Sequence, residues 1–284
     1  MQDVITIHGP RPPDAPAHPI VLDSPHSGQH LPDDFGAAVS ALALREGEDC
    51  FIDQLFQPAA ERGIPLLAAQ FARTYLDANR ALDDIDTSML DAPWPGPLAA
   101  NGKHAIGKAL VWRTLGADQP IYQRQLTVAE VQRRIDRYHQ PYHQALRQLL
   151  DAAHARFGAV YHLNCHSMGP HSHVLIEGVA GQPRADMVLG DRDGSTCSPE
   201  FTTFVQRTLT GMGYQVLVNK PFKGVELVRA YSSPADGRHS LQLEVNKRLY
   251  MDMDTLLPTA GFNALQADLM QLLDAMAQRF SPGA

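Results

Sequence analysis

Four side chains in this sequence have the types and the positions that metal chemistry needs. His26 and His166 each follow a short apolar run that predicts a buried strand, and Asp49 and Asp53 lie between them. In open α/β sheets, ligands bind beyond the carboxyl ends of the strands, so the two imidazoles are expected at the same edge. The aspartates are four residues apart, and a helix would therefore present both carboxylates on one face.

Two histidines and one carboxylate form a ligand set that suits zinc. A zinc ion with three protein ligands keeps a fourth position for water, and it lowers the pKa of that water to about 7. The second aspartate would orient a ligand histidine through its other ring nitrogen. A single histidine after a strand more often has a structural role, and Gly28 beside His26 would alone indicate a tight turn with a positive φ.

A lone carboxylate, Glu244, falls inside the apolar strand pattern LQLEV. A buried carboxylate needs either a partner or a raised pKa, so this position has two interpretations. It is a group that transfers protons, or it is one half of a structural ion pair with Arg248 or Lys247. The residues alone leave both interpretations open.

Groups that could bind a substrate carboxylate are predicted at two other places. The segment DANR carries Asn79 and Arg80 after a predicted strand, and a planar guanidinium beside an amide can hold a carboxylate through several hydrogen bonds. Arg229 follows the glycine turn at Gly224 and is the second candidate. The alternative for each arginine is an ordinary surface salt bridge.

Cys165 immediately precedes His166 and would serve a different chemistry, that of a cysteine nucleophile. A cysteine beside a buried strand is usually a small hydrophobic residue, and no helix start or fixed cation is visible that would lower its pKa. The three cysteines are odd in number and widely spaced, at positions 50, 165 and 197. This pattern, with no basic and then apolar start to the chain, predicts a cytoplasmic protein.

The composition limits the classes of partner. The chain has 284 residues and a formal net charge of −7, which argues against nucleic acid or an acidic membrane surface as the main partner. No apolar run approaches the roughly 20 residues that a membrane helix needs. A local basic pocket for a small anion is compatible with this overall charge.

Alternating strand and helix patterns predict an α/β domain with a central mixed, largely parallel sheet. No linker divides the chain, so a single domain over residues 1–284 is expected. The longest predicted helix begins at Thr127, with Glu130 three residues later, and Pro141 should kink or break it. The predicted helices cover 37–60, 127–157, 198–211 and 259–280, and the predicted strands cover 20–23, 65–71, 160–164, 173–179, 215–219 and 241–245.

A series of longer motifs resembles the N-formylglutamate amidohydrolase family and extends over most of the chain, from Ser24 to Asp252. The order of the motifs along the chain makes the resemblance far more specific than any one of them. They are SPHSG from Ser24, D-x-x-x-D at Asp49 and Asp53, DANRALDDID from Asp77, NCHSMG from Asn164, GDRDGSTCSPEF from Gly190, NKPFKGVELVRAY from Asn219 and HSLQLEVNKRLYMD from His239.

That family is similar to zinc carboxypeptidases and aspartoacylase-type deacylases. The resemblance implies a three-layer α/β/α fold, a mononuclear zinc site and hydrolysis of N-formyl-L-glutamate to formate and L-glutamate in histidine degradation. It also implies roles for matching residues. His26 and His166 correspond to metal ligands, Glu244 to the catalytic carboxylate, and Asn79 with Arg80 to the clamp for a substrate carboxylate.

The third metal ligand departs from the family pattern. Relatives place a glutamate three residues after the first histidine, whereas this chain has Gln29 there. We therefore expect Asp49 to be the third ligand, with Asp53 as the second choice.

Three rival functions remain open at this point. The first is a zinc deacylase of another N-acyl amino acid, because the motifs define the chemistry better than the acyl group. The second is a cysteine hydrolase that uses Cys165. The third is a protein that binds a small anion without catalysis.

Overall fold

The computed structural model describes residues 4–11, 14, 16–116 and 118–281. These residues form two compact units. Unit 1 consists of the described residues of Met1–Thr6, Pro25–Glu48 and Ala68–Ala145, and unit 2 consists of those of Ile7–Ser24, Asp49–Leu67 and Leu146–Ala284. The single domain over residues 1–284 stays a prediction.

Nine strands form a seven-stranded sheet and a separate two-stranded sheet in the described part of the chain. The seven-stranded sheet has the order β1-β3-β2-β6-β9-β7-β8, and β4 pairs with β5. The strands are β1 (Ile5–His8), β2 (Ile20–Ser24), β3 (Leu66–Ala69), β4 (Thr114–Leu115), β5 (Gln119–Pro120), β6 (Val160–Met168), β7 (Met187–Gly190), β8 (Val216–Val218) and β9 (Arg238–Asn246).

Parallel pairing dominates the middle of the large sheet. Strand β6 pairs in parallel with β2 on one side and with β9 on the other, and β7 pairs in parallel with β8. The β7–β9 pair is antiparallel, which makes the sheet mixed. With helices flanking it, this sheet confirms the predicted α/β class with a mixed, largely parallel sheet.

Eight α-helices accompany the strands within the described residues. They are α1 (Ala41–Leu44), α2 (Ile52–Phe56), α3 (Val128–Arg134), α4 (Gln140–Phe157), α5 (Val174–Glu177), α6 (Pro199–Gly211), α7 (Glu226–Ala230) and α8 (Gly261–Phe280). No helix in this part of the chain is long and apolar enough to cross a bilayer.

Residues alternate between two different faces along the central strands of unit 2, as a β-strand requires. One face carries apolar side chains such as Leu163 and Leu243, which belong to the core formed with α2, α6 and α8. The opposite face carries polar side chains such as Asn164 and Gln242, and these are buried as well. Buried polar groups must be hydrogen-bonded, so this second face is where a built polar site is expected.

The strand before His166 is longer than predicted. Strand β6 continues to Met168, four residues beyond the predicted end at 164, because β9 supplies a pairing partner along its whole length. His166 therefore lies within a strand and pairs with Glu244, and it does not follow the strand in a turn. His26 does follow its strand, β2, as predicted.

The predicted strand over 173–179 is wrong. This segment contains α5, whose N-cap residue is His173. The His173 ring accepts a hydrogen bond from the main-chain nitrogen of Leu175 at 3.3 Å, which satisfies one of the open donors of the first turn. Local capping has overridden the strand propensity of the apolar residues here.

Two predicted helices are interrupted in the structure. The stretch 37–60 contains the short helices α1 and α2 and 3₁₀ turns rather than one helix. The stretch 127–157 begins as predicted, with a capping box between Thr127 and Glu130, but a π-helical segment, Ile135–His139, separates α3 from α4. The predicted irregularity near Pro141 is therefore a π segment just before it.

Gly28 is required by a close approach of the backbone rather than by a positive φ. Its φ lies outside the left-handed region, yet a Cβ atom there would lie 2.3 Å from the carbonyl carbon of Gln70 and 2.5 Å from the nitrogen of Phe71. Main-chain atoms cannot rotate away as a flexible side chain can. The absence of a side chain at position 28 is therefore part of how this turn packs in unit 1.

Gly28→Ala should lower the free energy of unfolding by about 1–3 kcal/mol, the usual cost of overpacking. Urea unfolding measures this change. Gly211→Ala is the matched control, because Gly211 ends α6 and a Cβ there meets no atom within 4 Å. An equal loss of stability in both variants would contradict the steric explanation.

Candidate active site

His26 is held by a buried carboxylate. Its Nε2 atom lies 2.7 Å from Oδ1 of Asp77, and both side chains are fully buried. Burial alone would raise the pKa of Asp77, but Arg73, Arg80 and His26 together hold it well below its usual value. Asp77 is therefore an ionised acceptor, His26 donates through Nε2, and Nδ1 is the nitrogen with which His26 would hold a metal.

The tautomer of His166 follows from its neighbours in unit 2. Asn164 donates its Nδ2 to Oδ1 of Asp23 at 2.7 Å, which fixes the orientation of the amide. The Oδ1 atom of Asn164 then accepts from Nε2 of His166, also at 2.7 Å. His166 therefore carries a proton on Nε2 and turns Nδ1 toward Asp49 Oδ2, 2.9 Å away.

This last contact brings together two atoms that donate electron pairs. Nδ1 of His166 and Oδ2 of Asp49 need a positive charge between or beside them, either a proton or a metal ion. The other carboxylate oxygen of Asp49 accepts a hydrogen bond from Ser167 Oγ at 3.1 Å, which fixes the orientation of the carboxylate. Oriented ligands of this kind are typical of metal sites.

The three residues predicted as metal ligands are brought together. One ligand atom from each of His26, Asp49 and His166 lies within 4.8 Å of the other two, and all three residues are buried. Two imidazole nitrogens and a carboxylate oxygen suit zinc, whereas calcium and magnesium prefer sets made only of oxygen. The donor set therefore fits a zinc ion.

Two other positions, 53 and 29, are alternatives to Asp49 as the source of the third metal ligand, and neither belongs to the group found among the described residues. Among the described residues Asp53 is not part of this group. Gln29, which occupies the position of the family glutamate, donates its amide to Oε1 of Glu48 at 2.8 Å. Glu48 also accepts from Arg45 Nε at 2.6 Å, so the amide at position 29 takes part in a separate polar cluster of unit 1.

Glu244 lies beside His166 on the sheet. The two residues are register partners on β9 and β6, and partners in a parallel ladder direct their side chains to the same face. Glu244 is buried, and Gln242 donates its amide to Oε1 at 2.8 Å. Of the two predicted ion-pair partners, Arg248 binds Asp186 instead, and an ion pair of Glu244 with Lys247 stays a prediction.

The guanidinium of Arg80 is anchored on one side only. Its Nε donates to the main-chain oxygen of Lys108 at 3.0 Å, and Nη1 donates to that of Asn79 at 3.0 Å, with Asp77 Oδ2 at 3.4 Å. No described residue accepts a hydrogen bond from Nη2. Burial lowers the pKa of Arg80, and Asp77 opposes that shift. The side chain therefore offers one end of a fixed fork to an anion.

Other cations of unit 1 surround this arginine. Two of them lie over the ring of Trp112, Arg73 at 5.0 Å and Lys108 at 4.1 Å from its centre. Burial is the main cause that lowers the pKa of Lys103, and the positive charge of Arg80 lowers it further. These groups create the local positive region that a small anion needs in a chain of net negative charge.

Arg229 has a partner within its own helix. Its Nε and Nη2 atoms each donate to Glu226 at 2.8 Å, and the side chain is 56% exposed. The alternative interpretation of a surface salt bridge describes this geometry. Binding of the substrate by Arg229 stays a prediction.

Cys165 belongs to the hydrophobic core. Its side chain is fully buried on the apolar face of β6, and burial raises the pKa of the thiol well above its usual value. A thiol held in its neutral form is a poor nucleophile. The structure therefore gives no support to a cysteine hydrolase.

Sequence reasoning missed the residues that orient the ligands. Asn164 lies two positions before His166 on the same face of β6, and the period of two could have identified it. Asp77 begins the DANR motif, but the predicted site contains only its last two residues. Asp23 and Ser167 have no pattern in the sequence that distinguishes them from other polar residues at strand ends.

A mixed α/β sheet that brings two histidines and a carboxylate together, with a buried glutamate beside them, is typical of metal-dependent hydrolases. The model of the N-formylglutamate amidohydrolase family matches residues 18–251. The chain belongs to this family.

Individual relatives agree with this assignment. N-formylglutamate deformylases of Pseudomonas putida and Pseudomonas aeruginosa are 29% and 28% identical to the chain, and each match covers 82% of both proteins. The crystal structure of N-formylglutamate amidohydrolase from Ralstonia eutropha JMP134 is similar over 97% of this chain and 98% of its own. Its TM-score is 0.90 at 46% identity.

The geometry predicts different effects for the two aspartates. Asp49→Asn should reduce bound zinc from about one ion per chain to a small fraction, because a neutral amide is a much weaker zinc ligand than a carboxylate. Asp53→Asn is the matched control and should keep the metal. Elemental analysis of the purified proteins measures both, and zinc retained in Asp49→Asn would contradict the assignment.

Proposed function

We propose that this protein is a zinc-dependent amidohydrolase that cleaves N-formyl-L-glutamate to formate and L-glutamate. The observation that carries the proposal is the group of His26, Asp49 and His166 with Glu244 as the register partner of His166. Membership of the family and the named activities of the Pseudomonas and Ralstonia relatives support the choice of substrate.

The three ligand residues would hold the zinc ion through two ring nitrogens and one carboxylate oxygen. When bound, zinc polarises an amide carbonyl and lowers the pKa of water. Hydrogen bonds from His26 to Asp77 and from His166 to Asn164 keep both rings in the tautomer that leaves Nδ1 for a metal. This preorganisation reduces the cost of assembling the site.

Glu244 is the proposed general base and general acid. It accepts a proton from the attacking water and passes that proton to the leaving nitrogen of glutamate as the formyl C–N bond breaks. The Gln242 amide donates a hydrogen bond to Oε1 of Glu244 at 2.8 Å, and this bond orients the carboxylate. A buried position on the same sheet face as His166 suits this role.

Arg80 and Asn79 are the proposed clamp for a carboxylate of the substrate. The backbone anchors Nε and Nη1 of Arg80, so an anion binding at Nη2 would meet a guanidinium that is already ordered. N-formyl-L-glutamate carries two carboxylates, and the surrounding cations would balance them. Formyl is the smallest acyl group, so a cramped acyl position would reject larger ones.

The cellular setting is part of the same proposal. Release of L-glutamate and formate from N-formyl-L-glutamate would place the protein in histidine degradation. A cytoplasmic location is supported by Cys50, Cys165 and Cys197, which are all buried and form no disulfide bond with any described residue. Reduced cysteines are the rule in that compartment.

Formate release from a panel of N-acyl amino acids tests the substrate. Wild-type protein should prefer N-formyl-L-glutamate, and Arg80→Lys should lower kcat/KM tenfold or more, as expected for a charge-assisted hydrogen bond of about 1.5–3 kcal/mol. Preference for a longer acyl group would indicate a deacylase of another N-acyl amino acid. Bound ligand without turnover of any compound would indicate an anion-binding protein.

Glu244→Gln tests the proton-transfer step. The amide keeps the shape of the side chain but cannot accept and return a proton, so kcat should fall by about 10² to 10⁴. Zinc content and KM should change little. A variant that loses zinc would make Glu244 a ligand, and a near-normal kcat with zinc retained would leave Glu244 a structural role.

A further inference from the structure

A π-helical segment interrupts the long helix of unit 1 directly opposite the DANR motif. Residues Ile135–His139 have π geometry between α3 and α4. A π segment adds about one residue to a helical turn and is frequently found at functional sites. It changes which side chains face a given neighbour, because each extra residue rotates the following ones around the helix axis.

Two histidines at this point form a matched pair. His139 ends the π segment, and His143 lies four residues later on the same side of the helix. Their rings are stacked, with centroids 3.9 Å apart and planes inclined by 17°.

Both histidines point the same nitrogen at the main chain of the DANR motif. Nε2 of His139 lies 3.0 Å from the oxygen of Arg80, and Nε2 of His143 lies 2.8 Å from the oxygen of Ala78. A carbonyl oxygen only accepts, so both rings donate from Nε2. The hydrogen bond to Arg80 is buried.

The carbonyl between them is held as well. Nη1 of Arg80 donates to the oxygen of Asn79 at 3.0 Å, so the oxygens of Ala78, Asn79 and Arg80 all accept hydrogen bonds in succession. The nitrogen of Asn79 donates to Asp77 at 2.9 Å. A loop would normally turn such groups toward water, whereas here the protein fixes each of them.

We propose that the stacked pair His139 and His143, aligned by the π segment, positions the Asn79–Arg80 clamp so that it binds a substrate carboxylate. The histidines act on the main chain and are positioning residues rather than catalytic ones. An Arg80 guanidinium on a rigid backbone loses little freedom when the anion binds, which strengthens binding without new contacts. The inference rests on the proposed function for the identity of the substrate.

The test compares kcat and KM for formate release from N-formyl-L-glutamate in the wild-type enzyme and in His143→Ala. This variant loses the donor to Ala78, and KM should rise about five- to tenfold, as one hydrogen bond allows. The reacting atoms are not touched, so kcat should stay within about twofold. Zinc content should be unchanged.

Two further variants separate positioning from general structure. His143→Gln keeps an N–H donor and should recover most of the wild-type KM. His154→Ala is the matched control, since His154 lies on the same helix α4 and donates Nε2 to the main-chain oxygen of Asp236 at 2.8 Å. It should leave both kinetic constants unchanged. If His143→Ala does not fold, His143→Asn replaces it, because its amide is too short to reach Ala78.

A folded variant without the donor and with a wild-type KM would overturn the inference. An equal rise of KM in His154→Ala would overturn it too. Calorimetric titration with L-glutamate measures the clamp without turnover. Weaker L-glutamate binding in His143→Ala, with no formate released by the wild type, would support the clamp and reject the proposed function. Normal turnover by the wild type, together with equal L-glutamate affinities of the wild type and His143→Ala, would support the proposed function and reject the role of the histidines in the clamp.

Discussion

The polar side chains on the inner strands of unit 2 are cut off from water, and each must find its partner inside the protein. Asp23 accepts from Asn164, Asn164 accepts from His166, and His166 faces Asp49. A buried group without a partner costs several kcal/mol, so every member of this series limits the orientation of the next. The candidate metal ligands are ordered because a run of hydrogen bonds leaves them no alternative.

In unit 1, a buried polar group finds its partners among side chains of opposite charge. Asp77 is a buried carboxylate that holds His26 through one oxygen and Arg73 through the other, with Arg80 beside it. Removing either arginine would leave a desolvated negative charge less well compensated, which proteins tolerate poorly. One carboxylate thus connects the group that would hold a metal with the group that would hold a substrate anion.

Much of the architecture and of the site was predictable from the sequence. Apolar runs located most of the central strands, and the predicted metal ligands His26, Asp49 and His166 form one buried group. The end of β6 was not predictable, because only pairing with β9 carries the strand through His166 to Met168. A local sequence pattern cannot reveal a pairing partner that lies 78 residues away in the chain, as Glu244 does from His166.

The remaining errors have equally physical causes. The strand expected over 173–179 is a helix because the His173 ring caps it, and histidine is not among the usual capping residues. The π segment was invisible because periodicity shows a helix but not one extra residue within it. The expectation that Asp49 and Asp53 share one helix face is wrong, because α2 begins at Ile52 and Asp49 lies before it.

The alternation along β6 and β9 separates two tasks in the sequence itself. On β6 the even positions His162, Asn164 and His166 serve the polar face, while the odd positions Leu163 and Cys165 serve the core. Substitutions at odd positions can therefore vary with the packing of the helices while the chemistry stays intact. Insertion or deletion of one residue would exchange the two sets at once, so we expect lineages of this protein to diverge along these strands by replacement and hardly ever by change of length.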